Sequence, residues 1–212
     1  MNPAATLRMR PLRLMVYDAT CTARGRVGLS DAWYAGGYLY KALGRFDRTR
    51  GARSWAEALA WLADVEPERS IGEIQYWGHG NWGRALVDGQ ALTVEALDAG
   101  HAHRPALERI RARMAPGAPW WFRTCELFGA EAGHRFAREW TKFFDRPAAG
   151  HTFIIGYWQS GLHRLEPGRS PHWSVDEGLE EGTPDDPVKA LWSRPWSPNT
   201  ISCLRGSIPA GW

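Results

Sequence analysis

The chain has 212 residues, of which 44% are hydrophobic and 23% charged, a balance that is typical of an ordinary globular protein. This composition excludes a collagen-like repeat, a coiled coil and wholesale disorder. The 26 basic and 23 acidic residues leave a net charge of +3, an excess too small to indicate a nucleic-acid-binding protein. The 13 tryptophans indicate either an aromatic core or a wide binding surface.

Three features of the chain concern its compartment and its metals. Cys21, Cys125 and Cys203 are odd in number and form no CxxC pair, so we expect neither a metal site such as a structural zinc knuckle nor a thioredoxin motif. The N-terminus lacks an apolar segment followed by a cleavage site, and no stretch approaches about 18 uninterrupted apolar residues. We therefore expect a cytoplasmic protein with reduced thiols and no membrane contact.

The first half of the chain alternates predicted strands with predicted helices. A β-type run ends at Asp18 and a polar loop with two glycines follows it, whereas residues 45–53 have the pattern of a charged connection. The elements predicted here are a strand over 12–17, a helix from Ser30 or Asp31 to Leu43, a helix capped by Ser54, a strand over 71–77 and a hairpin over 86–92 with an Asp-Gly turn.

The second half continues the alternation as far as residue 160. The elements predicted here are a helix capped by Thr93, a helix over 106–114, a strand over 120–124, a helix over 130–144 and a strand over 151–158. We therefore predict an α/β domain over 1–160. Residues 161–212 are predicted to form an irregular extension packed on the same domain, with short edge strands near 172–175 and 200–204.

This alternation predicts a mostly parallel central sheet sandwiched by helices. In such sheets, ligands bind beyond the carboxyl ends of the strands. His79 and Cys125 each follow a predicted strand, as does Asp18, so we expect the three residues on one rim of the sheet. The glycines around His79 permit a close approach of the backbone to a ligand.

The predicted rim carries the groups that acyl transfer requires. A thiol such as that of Cys125 is mostly protonated at neutral pH, and an adjacent imidazole such as that of His79 can take its proton and later protonate a leaving amine. The backbone N–H groups of Gly80 and Cys125 are the predicted oxyanion donors. The pattern predicts a His79/Cys125 dyad.

The arrangement of these residues resembles a known family. Gly78-His79-Gly80 after one strand, then a hairpin and a helix, then Cys125 and Gly129 after the next strand, resembles the caspase–hemoglobinase group of cysteine peptidases. Cys125-x-x-x-Gly129 is also similar to uncharacterised bacterial caspase-like domains, and the Arg- and Ala-rich composition is compatible with a GC-rich bacterial genome. The resemblance covers about residues 12–160.

The resemblance implies a caspase-like fold and a cysteine endopeptidase that cleaves a protein or peptide partner through a thioester acyl-enzyme, without a cofactor. Two departures limit it: the pentapeptide Arg123-Thr124-Cys125-Glu126-Leu127 replaces the family's Gln-Ala-Cys-Arg-Gly, and no recruitment domain or cleavable linker between subunits is recognisable. The caspase preference for Asp and two-chain maturation are therefore not implied. The oligomeric state stays open.

The preference for the substrate residue before the cleaved bond also stays open. In this group, the loop after the first strand helps to build a charged pocket. Arg24 or Arg26 facing the pocket favours an acidic residue, and Asp18 or Glu126 favours a basic one.

Trp82 and Trp158 fall near predicted strand exits and are predicted to wall a substrate cleft. Cys21 and Cys203 are interpreted as bystanders. The alternative to the peptidase is a non-catalytic protein-binding module on the same fold, because a fold alone does not imply an activity.

Overall fold

The computed structural model of the protein describes residues 10–22 and 28–212. The strands, in chain order, are β1 (Leu12–Asp18), β2 (Arg48–Ala52), β3 (Ile71–Trp77), β4 (His79–Asn81), β5 (Arg84–Val87), β6 (Gln90–Leu92), β7 (Trp120–Arg123), β8 (Ala148–His151), β9 (Trp158–Gln159), β10 (Leu162–Leu165), β11 (Leu179–Gly182), β12 (Pro187–Ala190) and β13 (Ile201–Ser202). The helices are α1 (Leu29–Ala42), α2 (Trp55–Asp64), α3 (Arg104–Arg113) and α4 (Ala130–Phe144). A 3-10 turn covers Val94–Leu97.

A six-stranded sheet in the order β10-β8-β7-β3-β1-β2 forms the centre of the protein. The five strands from β8 to β2 run parallel, and β10 runs antiparallel to β8 at one edge. The predicted α/β class with a mostly parallel sheet is confirmed. Because β3 and β7 are neighbours, the segments that follow them leave the sheet side by side.

One face of the sheet carries the larger hydrophobic core. Leu14 and Val16 of β1, together with Trp120 and Phe122 of β7, pack here against side chains of α2, α3 and α4. Trp140 of α4 packs against Trp120, Phe122, Phe136 and Phe144, with ring centroids 5.0–5.3 Å apart. Several of the tryptophans thus serve the core, as one of the two interpretations of their number predicts.

The opposite face is covered by α1 and by the C-terminal segment. Tyr40 of α1 packs with Met15, Phe46 and Trp77, while Ile201 of β13 packs with a second small cluster around Trp121. Much of α1 is exposed, so this cover is thinner than that on the first face. The thin cover leaves space between α1 and the carboxyl ends of β3 and β7.

Two strands of the six-stranded sheet differ from the predicted elements. Residues 48–52 form β2, a parallel strand at the edge of the sheet. The segment was predicted to be a charged connection because the arginines of this strand point to solvent. The strand predicted over 151–158 is instead β8, which begins at Ala148. Its small residues fit beneath larger neighbours, and the Phe128 ring lies over Gly150.

Local signals in the first half are largely confirmed. The Ser54 Oγ accepts a hydrogen bond from the Glu57 N–H at 3.1 Å and begins α2, as predicted. The Asp-Gly turn joins β5 to β6. The prediction for α1 was wrong in its cap: Gly28 precedes the helix, and the Ser30 hydroxyl donates instead to the Asp18 carbonyl at 2.8 Å. The helix predicted after Thr93 is only a 3-10 turn.

The segment 161–212 is more regular than predicted. It supplies β10 to the central sheet, and β11 and β12 form a separate two-stranded ribbon. The strand predicted near 172–175 is absent because Trp173 acts as an anchor: its indole stacks on Phe128 and donates to the Phe128 carbonyl at 3.1 Å. Among the described residues, no helix combines the length and the apolar character that a membrane crossing requires.

Candidate active site

A cavity of about 680 Å³ lies where β3 and β7 end, on the face of the sheet that α1 covers. Its walls come from α1, from the segments after β3 and β7, from residues 154–159 and from the C-terminal segment. His79 and Cys125 both line it. The structure thus brings the two predicted catalytic residues to one cavity.

His79 is held by two neighbours in the resting structure. Its Nε2 lies 3.3 Å from the Cys21 Sγ, and the edge of the Trp33 ring packs against the imidazole, with ring centroids 5.5 Å apart. Cys21 belongs to the loop after β1, and sequence reasoning treated it as a bystander. A thiol at this distance can share a hydrogen bond with the imidazole, so Cys21 is a direct neighbour of the predicted catalytic histidine.

Cys125 lies two residues beyond β7, in an apolar environment. Its Sγ is 3.9 Å from the Ile155 carbonyl oxygen, and the thiol is largely enclosed. Burial, reinforced by the neighbouring Glu126 carboxylate, raises the pKa of Cys125 to about 12. Among the described residues, the Cys125 N–H has no acceptor other than its own thiol, so no other part of the backbone occupies this predicted oxyanion donor.

Gly80 brings the His79 segment against the Cys125 segment. A Cβ at position 80 would lie 2.6 Å from the Thr124 Cβ and 2.7 Å from the Cys125 carbonyl oxygen. Both distances are shorter than van der Waals contact, so only glycine allows this approach without displacement. The sequence predicted that these glycines allow the backbone to approach a ligand closely. At Gly80 the backbone does make a close approach, but to the Cys125 segment of the protein rather than to a ligand.

Glu126 is buried beside Cys125 and does not line the cavity. Its backbone takes the left-handed conformation, with φ of 28°, and its N–H donates to the Phe153 carbonyl. Its Oε2 is enclosed without a hydrogen-bond partner, and burial raises the pKa of its carboxyl to about 7. Glu126 is therefore placed to change the reactivity of Cys125 with pH.

The Glu126→Gln protein should have a more reactive Cys125 above pH 7. Removal of the carboxylate removes a repulsion that disfavours the thiolate, so the pKa of Cys125 should fall. We expect alkylation of Cys125 by iodoacetamide at pH 9 to accelerate by about threefold to tenfold, which corresponds to half to one pKa unit. Site-resolved mass spectrometry measures this rate.

The effect should vanish well below pH 7, where Glu126 is itself protonated and uncharged. Glu131→Gln, which removes an exposed carboxylate at the start of α4, is the matched control and should not change the rate. An unchanged profile in the Glu126→Gln protein would contradict the coupling.

Three further residues that were predicted to bind substrate, Asp18, Trp82 and Trp158, do not line the cavity. The Asp18 carboxylate is buried and accepts from the Thr20 N–H at 2.8 Å and from the Thr20 hydroxyl, so it closes the turn after β1. Trp82 lies in the turn between β4 and β5, against Gly129. Trp158 belongs to β9, where it pairs with Ser202.

Arg24 and Arg26 lie outside the described residues, so their predicted role in the pocket remains a prediction.

Sequence reasoning missed several residues that do line the cavity: Trp33, Trp77, Arg123, Tyr157, Gln159 and Trp192. A signal existed for Arg123, because a charged residue that ends an apolar strand two positions before a candidate nucleophile is unusual. Gln159 and Trp192 carried no such signal. In the described part of the chain, no group of three His, Cys, Asp or Glu side chains is arranged to hold a metal ion.

No protein-family model matches the chain, and no curated protein or solved structure shows a significant match to it. The geometry of the cavity therefore carries the functional argument.

Proposed function

We propose that the protein is a cysteine endopeptidase of caspase-like architecture, with Cys125 as nucleophile and His79 as acid and base. One observation carries the proposal. A thiol and an imidazole follow two neighbouring parallel strands and line the same cavity. The order of His before Cys along the chain and the mostly parallel central sheet also support it.

The proposed reaction has two stages. The Cys125 Sγ gives its proton to His79 and forms a bond to the carbonyl carbon of the substrate, whose oxygen takes the negative charge beside the Cys125 N–H. The C–N bond then breaks, the imidazolium protonates the departing amine, and a thioester remains. A water molecule, deprotonated by His79, hydrolyses the thioester and returns the thiol. The substrate is a protein or peptide.

A contact in the resting structure favours a second assignment of the nucleophile. The Cys21 Sγ is 3.3 Å from the His79 Nε2, whereas the Cys125 Sγ has the Ile155 carbonyl as its partner. The thiol that already contacts the imidazole is Cys21. For Cys125 to react, His79 must leave Cys21 and the enclosed thiol must lose its raised pKa on substrate binding.

A binding module is the second candidate function. A pKa of about 12 makes the Cys125 thiol unreactive at neutral pH in the resting structure. Exposed aromatic side chains, including Tyr157 and Trp192, line the cavity, and such residues are enriched where proteins bind one another. This candidate uses the cavity without covalent chemistry.

Site-resolved labelling separates these possibilities. The wild type, Cys21→Ser and Cys125→Ser proteins are treated with peptide acyloxymethyl ketones that differ in the residue next to the electrophile, and the modified cysteine is identified by mass spectrometry. We expect the probe to label Cys125 in the wild type. The Cys21→Ser protein should still be labelled, and the Cys125→Ser protein should not. Cys203→Ser is the matched control, because it removes a thiol that has no imidazole contact in the described structure.

Labelling of Cys21 that persists in the Cys125→Ser protein would overturn the assignment of the nucleophile and retain the activity. Labelling of neither residue by any peptide electrophile, with both thiols reactive only after denaturation, would overturn the peptidase and favour the binding module.

A further inference from the structure

A second cavity, of about 580 Å³, lies beside the amino-terminal halves of β1 and β3, on the face of the sheet that α1 covers. Its volume is within the usual range of small-molecule sites, about 300–1,000 Å³. Three arginines, one glutamate and two serines line it, and Leu204 is the only apolar side chain in the described lining. Leu204 also lines the candidate active site, so the C-terminal segment forms part of the wall of both cavities.

The three arginines of this cavity differ in how far their charge is neutralised. The Asp47 Oδ2 accepts from the Arg13 N–H at 2.8 Å and from its Nε at 3.4 Å. Neither Arg45 nor Arg205 has a carboxylate within ion-pair distance in the described part of the chain. Residues 1–9 and 23–27, which lie outside that part, include no Asp or Glu. The cavity therefore holds two guanidinium groups that have no acidic side chain as counter-ion.

Arg45 is held in place by three neighbours. Its guanidinium lies over the Tyr40 ring, 5.0 Å from the centroid, and its Nη1 donates to the Leu204 carbonyl at 2.8 Å. A Cβ at position 206 would lie 2.6 Å from both the Cδ and the Nη1 of Arg45, so Gly206 leaves the room that this side chain occupies. A side chain that is already ordered loses less conformational entropy when a ligand binds to it.

Glu73 adds a hydrogen-bond acceptor to the wall of this cavity. Its Oε1 accepts from the Gln75 Nε2 at 2.6 Å, and its Oε2 has no donor among the described residues. Burial raises the pKa of this carboxyl, while the guanidinium groups of Arg13 and Arg123 act in the opposite direction. A lining that combines free cations with one acceptor suits a ligand that carries both an anionic group and hydroxyl donors.

We propose that this cavity binds a phosphorylated sugar, with the phosphate group on Arg45 and Arg205 and a sugar hydroxyl on Glu73. A phosphate monoester carries a charge of about −1.5 to −2 at pH 7 and three acceptor oxygens, so it accepts from two guanidinium groups at once. The polar lining suits a ring rich in hydroxyl groups, and no aromatic side chain of the described lining offers a surface on which a nucleobase would stack. The inference does not depend on the peptidase, because it concerns a different cavity.

Calorimetric titration of the wild-type protein tests this site. The probes are glucose 6-phosphate and ribose 5-phosphate, and the comparison ligands are glucose, glucuronate and inorganic phosphate. The titrations are made at pH 8, where phosphate is fully charged, and at about 0.15 M salt, which screens unspecific attraction. We expect both sugar phosphates to bind at least about tenfold more tightly than glucuronate and inorganic phosphate, because each of these lacks a charge-assisted hydrogen bond. Glucose should not bind detectably.

Two variants test the two halves of the ligand. Arg205→Gln removes an exposed cation that makes no ion pair in the described structure, so the fold is retained, and the affinity for glucose 6-phosphate should fall at least about tenfold. Glu73→Gln keeps the shape of the side chain but removes the charged acceptor. We expect it to lower the ratio of the affinities for glucose 6-phosphate and inorganic phosphate by about fivefold. Arg84→Gln, which removes an exposed arginine of β5 that lines neither cavity, is the matched control and should change neither value.

Several results would overturn the proposal. Binding of neither sugar phosphate, or equal binding of the sugar phosphates and inorganic phosphate, would show that the cavity does not recognise this class of ligand. An affinity for glucose 6-phosphate that survives in the Arg205→Gln protein would place the ligand elsewhere. An equal loss in the Arg205→Gln and Arg84→Gln proteins would reduce the binding to unspecific attraction by positive charge. An unchanged affinity ratio in the Glu73→Gln protein would overturn the role of Glu73 as the hydroxyl acceptor.

Discussion

In the His79→Ala protein, the preferred peptide electrophile should label Cys125 about 10²–10⁴ times more slowly than in the wild type, the usual contribution of a positioned acid or base. The expected loss is large because burial holds the pKa of Cys125 at about 12, so the thiol depends on an adjacent base to lose its proton. The second-order rate constant with the preferred peptide electrophile, followed by intact mass, gives this ratio.

Two controls separate a chemical role of His79 from a structural one. Millimolar imidazole should partly restore the rate in the His79→Ala protein, because a small base can enter the space that the side chain leaves. His172→Ala, which removes an exposed histidine that does not line the cavity, should retain the wild-type rate. A His79→Ala protein that reacts at the wild-type rate would show that His79 takes no part.

The position of the cavity could be predicted from the sequence because it depends on local patterns. Strands that alternate with helices build a parallel sheet, and the carboxyl ends of its strands meet at one edge. The apolar runs before His79 and Cys125 were strong enough to identify β3 and β7. The alternating pattern alone predicted that both residues lie at the same edge of the sheet. That β3 and β7 are adjacent in the sheet is seen only in the structure.

The strands at the sides of the sheet were less accessible to this reasoning. The arginines of β2 face solvent at an edge, and the strand is held by its ladder with β1 rather than by apolar side chains. The residues Ala148–His151 form β8 because small side chains are required beneath Phe128, a constraint imposed by tertiary packing. Local propensity favours the apolar run 153–157 instead, of which residues 154–157 line the cavity.

The residues that give the cavity its charge depend on long-range contacts. Arg123 meets Gln159 from 36 residues away and the Cys203 carbonyl from 80 residues away. No spacing rule relates these positions, so sequence reasoning looked for the pocket charge in the loop after the first strand. The contact between Cys21 and His79, 58 residues apart, was missed for the same reason.

Gly80→Ala should damage both the fold and the candidate site. The added methyl would lie 2.7 Å from the Cys125 carbonyl oxygen, which belongs to the backbone and cannot rotate away, and 2.6 Å from the Thr124 Cβ. Overpacking of this kind costs about 1–3 kcal/mol in the free energy of unfolding. For a chain of this length, we expect the melting temperature to fall by roughly 2–12 °C.

The displacement has a chemical consequence as well, because the strain is relieved by separation of the His79 and Cys125 segments. We therefore expect labelling of Cys125 at 20 °C, where the variant is still folded, to slow by about tenfold or more, as small misplacements of reacting groups do. Gly100→Ala is the matched control, since a Cβ there meets no atom within 4 Å. A Gly80→Ala protein with wild-type stability and labelling would show that the two segments do not need this close contact.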